Sequence, residues 1–143
     1  MSTIVKLADA LAAHINAGTF PVPVVAQRLF QPAFTLEDLK DLRVTVVPRT
    51  VQMAPASRDS LTLEYVLDIG VQRKLPAEEV DGAIDGLLDL VQAISEHVRL
   101  KRLPDFPDAA WAAMTNEPVL STEALEQHRV FTSVLSVTYR ERR

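Results

Sequence analysis

Few side chains in this sequence could do chemistry, and their spacing keeps them apart. The chain has three histidines and no cysteine, which excludes thiolate catalysis, disulfide bonds and cysteine-based metal sites. His14, His97 and His128 fall in separate predicted elements without the spacing of metal ligands. We therefore interpret them as helix-surface and helix-end residues, and we expect neither a metal site nor a cofactor.

Acidic residues form one regular row. Glu78, Asp81, Asp85 and Asp89 follow one another at steps of three and four residues, so they share one flank of a predicted helix. Such a row could bind a hard cation, but it is more often a solvated face, which is the interpretation we adopt. No serine stands in a nucleophile motif, and the four glycines form neither a phosphate-binding loop nor a dinucleotide fingerprint. The sequence therefore predicts that the protein is not an enzyme.

Arginines and glycines supply a different kind of candidate site. Four arginines lie in or beside one predicted hairpin, where they either keep a sheet edge soluble or form a charged contact surface for a partner. Two glycines interrupt a long predicted helix at a cost of about 1 kcal/mol each relative to alanine. They are either tolerated at an exposed position or mark the close approach of another helix or subunit. The candidate subunit or partner interface consists of Arg43, Arg49, Arg58, Arg73, Gly82 and Gly86.

Two long strands are predicted to position these arginines. In residues 61–72 apolar side chains occupy the odd positions and mostly polar ones the even positions, a pattern typical of a strand with one buried face. In residues 42–53 the apolar phase changes near Pro48, which predicts a β-bulge because proline cannot donate a backbone hydrogen bond. The polar segment 54–60 is predicted to be an exposed loop. We expect this hairpin, residues 42–73, to be the main interaction element.

The remaining elements predict an α+β fold in a single domain of residues 1–143. Its sheet has about four strands, is mainly antiparallel and packs against two main α-helices. The segment before the last strand is predicted to be irregular, with Trp111 as its anchor to the core. The other predicted elements are a helix over 3–17, an edge strand over 24–30, a helical turn after Thr35, a helix over 77–103 and a final strand over 131–139.

The long helix is predicted to turn one apolar stripe toward the core, because apolar residues recur along it at helical spacing. Leu90 falls outside this stripe, on a thinner second line that also holds the two helix glycines. The predicted core stripe consists of Val80, Ile84, Leu87, Leu88, Val91, Ile94 and Val98.

Composition limits the class of protein. The chain has 143 residues, of which 48% are hydrophobic and 24% charged, as expected for a globular domain. The net charge of −4 argues against a general nucleic-acid-binding surface, which needs a basic excess. No run approaches the ~18 to 20 apolar residues of a membrane span, and the N-terminus lacks the apolar stretch of a signal peptide. We therefore expect a protein that is cytoplasmic when made and has no membrane partner.

Several longer segments resemble one viral protein family. The runs FTLEDLKDLRVTVVPRTVQMAPASRDS, LEYVLDIGVQRKL, LLDLVQAISEHV and FTSVLSVTYR resemble small tail-associated proteins of tailed bacteriophages, of the tail-terminator type, also described as tail-completion or head–tail joining proteins. The resemblance covers most of the chain from Val24 onward. It rests on a pattern of strand and helix segments, above all LRVTVVPR and FTSVLSVTYR, and not on a catalytic signature.

This resemblance implies a structural role in the virion. It implies an α+β subunit that assembles as a homo-oligomeric, hexameric ring, caps the tail tube and joins it to the neck of the capsid. The implied partners are the tail-tube protein and a neck or adaptor protein, and genomic DNA would pass through the lumen without specific binding. The implied location is the virion tail or neck, with the host cytoplasm during assembly. The family supplies no catalytic residues to transfer.

Two other classes of function stay open at the level of sequence. A neck adaptor or a tail-assembly chaperone would bind portal or adaptor proteins, or would associate only transiently. A small enzyme or ligand-binding module would be a monomer with a pocket of clustered polar residues.

Overall fold

A computed structural model describes residues 2–143. These residues form one five-stranded sheet with strand order β1-β2-β3-β5-β4. Strands β1 and β2 are parallel, and every other neighbouring pair is antiparallel. The elements are α1 (Thr3–Asn16), β1 (Ala26–Arg28), a 3-10 turn (Asp38–Lys40), β2 (Arg43–Ser57), β3 (Ser60–Lys74), α2 (Val80–Val98), β4 (Ala110–Asn116), α3 (Thr122–His128) and β5 (Val130–Arg142).

The predicted sheet of about four strands and two main helices was wrong. The described residues form an α+β fold with a mixed sheet of five strands, one parallel pair and three helices, of which α3 is short. The strand that the prediction missed is β4, in the segment expected to be irregular. Its register shifts between Trp111 and Ala113, so a bulge breaks the alternation by which a strand is read from sequence. Trp111 does pack against the core, as predicted.

The β2–β3 hairpin is longer than predicted. The bulge is confirmed, because the register of the two strands shifts between Pro48 and Thr50. The predicted loop over residues 54–60 was wrong, since β2 continues to Ser57 and β3 begins at Ser60. These small and polar residues pair across the hairpin through a second register shift, and only Arg58 and Asp59 remain in the turn. Low apolar content here reflects exposure on both faces rather than the absence of a strand.

The hydrophobic core lies between one face of the sheet and the helices α1 and α2. Facing residues of β3 and β5, such as Tyr65 with Tyr139 and Leu67 with Val137, are directly opposite each other and fully buried. Antiparallel partners point to the same side of a sheet, so these pairs form continuous apolar rows under the helices. The largest fully buried side chains that the two helices contribute to this core are Leu7, Leu11, Ile15, Leu90 and Ile94.

Helix α2 is shorter than predicted and is rotated relative to the predicted stripe. Glu79 before it and Leu100 after it have positive φ angles of 56° and 58°, outside the helical region, so the helix runs only from Val80 to Val98. Leu90 is 1% exposed and belongs to the core, whereas Leu88 of the predicted stripe is only partly buried. The predicted stripe is therefore right for Leu87, Val91, Ile94 and Val98, which are buried.

Two histidines form a direct contact between helices α1 and α2. The rings of His14 and His97 stack with their centroids 4.2 Å apart. Each ring donates an Nε2–H to the backbone carbonyl of the other residue, at 3.1 Å and 2.8 Å. Burial lowers the pKa of His14 most strongly, and the charges of His97 and Lys101 lower it further against the opposing effect of the bond to the His97 carbonyl.

This histidine contact predicts that the protein loses stability as the pH falls. Because the pKa of His14 is lowered in the folded state, the unfolded chain binds more protons around and below the ordinary value of about 6.5. Stability should be complete above that value and should decrease toward pH 5. Thermal melts at pH 7.5 and pH 5.5 would show a smaller pH effect in His14→Gln than in the wild type, while His128→Gln in α3 should behave like the wild type. Equal pH effects in all three proteins would contradict this prediction.

Candidate interaction surface

The distal half of the hairpin exposes an unpaired strand edge. Strand β1 pairs only with residues 44–46 of β2, and within residues 2–143 no strand pairs with the outer edge of residues 49–57. All of these residues are exposed. At the usual rise per residue this edge is about 30 Å long. Its free backbone N–H and C=O groups are the kind that pair with another chain.

An apolar patch lies on the same part of the hairpin. Met53 is 68% exposed, Leu61 44% and Val51 39%. Val51 lies opposite buried Tyr65, and Met53 lies opposite buried Leu63, so these side chains point to the core side of the sheet, beyond the part that the helices cover. We call Val51, Met53 and Leu61 the hairpin apolar patch. Because these exposed apolar side chains lie together on one face, they form a candidate contact site.

The four predicted arginines do not form one cluster. Arg58 lies in the hairpin turn and Arg73 near the other end of β3, about 45 Å away at the usual rise per residue. Arg43 lies at the same end of the hairpin as Arg73, since it pairs with Gln72. Its Nε donates to the Asp38 carbonyl at 3.1 Å, and its guanidinium lies 5.5 Å from the centre of the Phe34 ring. Arg43 therefore holds the segment before β2 in place.

Arg49 and Arg58 differ in whether their guanidinium groups already have partners within the chain. The Nη1 of Arg49 lies 3.6 Å from Asp68 and 3.3 Å from the Ser136 hydroxyl, on the sheet face away from α1 and α2. Ser136 in turn donates to Asp68 at 2.6 Å. Arg58 has no ion-pair partner within residues 2–143. Of these two arginines, Arg58 is therefore the one whose charge is available to a partner.

The two helix glycines are exposed, and no part of the described chain packs on them. A Cβ at Gly82 or Gly86 would meet no atom of residues 2–143 within 4 Å. The hypothesis that another helix of this chain approaches them was therefore wrong, and contact with a neighbouring subunit stays a prediction. Gly86 does line a cavity together with Arg73, so the structure brings these two candidate residues together while Gly82 stays outside.

Alanine at either glycine is expected to stabilise the folded chain. Because a Cβ has open space at both positions, only the helix propensity changes, which favours alanine by about 0.8–1.0 kcal/mol. Gly82→Ala and Gly86→Ala should each raise the melting temperature by about 3 °C, measured at a concentration that keeps the protein monomeric. A lower melting temperature for either variant would contradict the open surroundings seen here.

The cavity has a volume of about 600 Å³. Its lining comes from four separate parts of the chain: the loop after α1, the 3-10 turn, the end of β3 and the first half of α2. No sequence pattern relates these segments, so sequence reasoning missed the cavity. The hairpin apolar patch left one sequence signal, the change of apolar phase at Pro48, but its exposure depends on how far the helices extend over the sheet.

Comparisons with known proteins leave the family of this chain open. No protein-family model matches the sequence, and a search of curated proteins finds no significant match. Among the described residues, no helix has both the length and the apolar character that a membrane crossing requires. Within residues 2–143 there is also no group of three or more His, Asp or Glu side chains placed to hold a metal ion.

Proposed function

We propose that this protein is a structural subunit of a phage tail, of the tail-terminator type, which forms a homo-oligomeric, hexameric ring. The ring caps the tail tube and joins it to the neck, with DNA passing through its lumen. The observation that carries the proposal is the distal half of the hairpin, where an unpaired strand edge and the hairpin apolar patch occur together. A chain that works as a monomer gains nothing from exposing both.

The proposed ring requires one particular kind of contact between copies. In the proposed ring, the hairpin edge and patch of one copy contact a different surface of the next copy, so the contact is heterologous. Heterologous contacts generate closed rings when the rotation between copies closes. The net charge of −4 further suits a lumen that lets DNA pass, because phosphate binding grows with each neutralised contact.

The direct test is the mass of the purified protein by light scattering over a concentration series, with negative-stain images of the heaviest species. A species near six subunits with a ring outline supports the proposal. Some rings close only on their partner, so a pull-down with tail-tube protein accompanies the measurement. A monomer at every concentration that also fails to bind tail-tube protein would reject the proposal.

Charge reversal in the hairpin turn should impair assembly. Because Arg58 has no ion-pair partner in the described chain, Arg58→Glu should weaken subunit or partner association at least about tenfold while leaving the circular-dichroism spectrum nearly unchanged. Arg49→Glu should impair assembly too, but it also places a carboxylate beside Asp68 and should lower the melting temperature slightly. Normal assembly of both variants would show that the hairpin arginines are not part of the contact.

A further inference from the structure

The cavity beside α2 has the properties of a binding site for a small molecule. Its volume of about 600 Å³ falls in the usual range for small-ligand pockets, which is about 300–1,000 Å³. Its lining is mainly apolar: Val22 is exposed, whereas Leu75, Leu87 and Leu90 lie at its base and are at most 6% exposed. Gly86 forms part of the wall, and the space above its Cα is open within the described chain. This space can hold an apolar group about the size of a short alkyl chain.

The charged residues that line the cavity indicate the sign of the ligand's charge. Three cations, Lys40, Arg73 and Lys74, and one carboxylate, Asp89, line the cavity. Lys40 pairs with Glu37 at 2.8 Å, whereas Arg73 and Lys74 have no ion-pair partner within residues 2–143. Asp89 belongs to α2, and the two unpaired cations belong to the end of β3. An anionic group is therefore favoured at the β3 side of the cavity.

We propose that this cavity binds a small amphiphilic anion, an alkyl chain of medium length that carries one carboxylate. The alkyl chain lies against Val22 and passes over Gly86, above the buried leucines. The carboxylate lies at the β3 side, where Arg73 offers a planar pair of N–H donors; Lys74, the next residue of the strand, points to the opposite face of the sheet. This binding is independent of ring formation and does not rest on the proposed function.

Two glycine variants make a matched pair for the test. Gly86→Met places a flexible side chain in the cavity, and Gly82→Met places the same side chain on the same helix outside it. Methionine is the better helix former, so both variants should fold at least as well as the wild type. Any difference in ligand binding between them therefore comes from filling the cavity and not from unfolding.

The experiment is calorimetric titration with sodium decanoate below its micelle concentration, with decyltrimethylammonium as the probe of opposite charge. We expect the wild type to bind one decanoate per chain and to bind the cationic probe at least tenfold more weakly. Arg73→Gln should bind decanoate at least tenfold more weakly than the wild type. Gly86→Met should not bind decanoate, and Gly82→Met should bind it like the wild type. Absence of decanoate binding to the wild type, equal binding of the two probes, or unchanged binding by Gly86→Met would each overturn the proposal. Light scattering on the same samples reports ring formation separately, so failure of the ring proposal is recognised as such.

Discussion

Replacing Met53 by glutamate is expected to leave the chain monomeric at concentrations at which the proposed ring of the wild-type protein assembles. Met53 is the most exposed member of the hairpin apolar patch, so the proposed contact would bury the new carboxylate among apolar side chains. Burying an unpaired charge costs several kcal/mol, and about 1.4 kcal/mol corresponds to a tenfold change in affinity. We therefore expect the affinity between subunits to fall by a factor of at least about 100.

The fold of the Met53→Glu variant should be unaffected, because substitutions at exposed positions usually change stability by less than about 0.5 kcal/mol. Light scattering and circular dichroism on the same samples separate the two effects. A matched control is Val25→Glu, since Val25 is 79% exposed and lies before β1, outside the hairpin. Rings formed by Met53→Glu at wild-type concentrations would remove the patch from the contact. Loss of rings in both variants would instead assign the effect to added negative charge.

The second large effect is expected from truncating Leu90 in α2. Leu90 is 1% exposed and packs in the core, so Leu90→Ala removes buried methyl groups and leaves a cavity. We expect the free energy of unfolding to fall by about 3 kcal/mol or more. The same change at the partly buried Leu88 should cost about 1 kcal/mol, because the side chain already meets solvent and little void remains.

Urea unfolding followed by circular dichroism measures both leucine variants, and an unchanged slope against urea would show that only stability has changed. The comparison of the two leucine variants tests which side of α2 is buried. Positions 88 and 90 are about 200° apart around an α-helix, so the side of the helix that fully buries Leu90 leaves Leu88 only partly packed against the core. Equal losses, or a larger loss at Leu88, would show that α2 has the orientation predicted from the sequence and not the one described here.

The two leucines also show how far the sequence determines the fold. Apolar residues in α2 occur on more than one side of the helix, so their spacing predicts a helix but does not settle which side is buried. That depends on packing against α1 and the sheet. The parallel pairing of β1 and the bulged strand β4 were missed for a similar reason. Strand direction and bulges are set by neighbouring strands, and alternation reports only which residues share a face.

The candidate surface was predictable to the same partial extent. Alternation in residues 61–72 and the change of phase at Pro48 correctly predicted a hairpin with a bulge. The sequence grouped Arg43, Arg49, Arg58 and Arg73 because they are near one another along two strands. The structure separates them along the length of the hairpin, and it gives Arg43 and Arg49 contacts within the chain. Exposure of Val51 and Met53 follows from how far the helices extend over the hairpin, which no local pattern encodes.

The two prolines of β2 limit how copies of this protein can associate through the exposed strand edge. Pro48 and Pro55 each lack a backbone N–H, and each lies beside a register shift. An added strand therefore finds an uninterrupted row of donors and acceptors only over residues 49–54. Amyloid-like stacking requires flat, continuous edges on which copy after copy can pair. An edge this short, interrupted at both ends, offers room for one short partner strand and disfavours continued sheet growth.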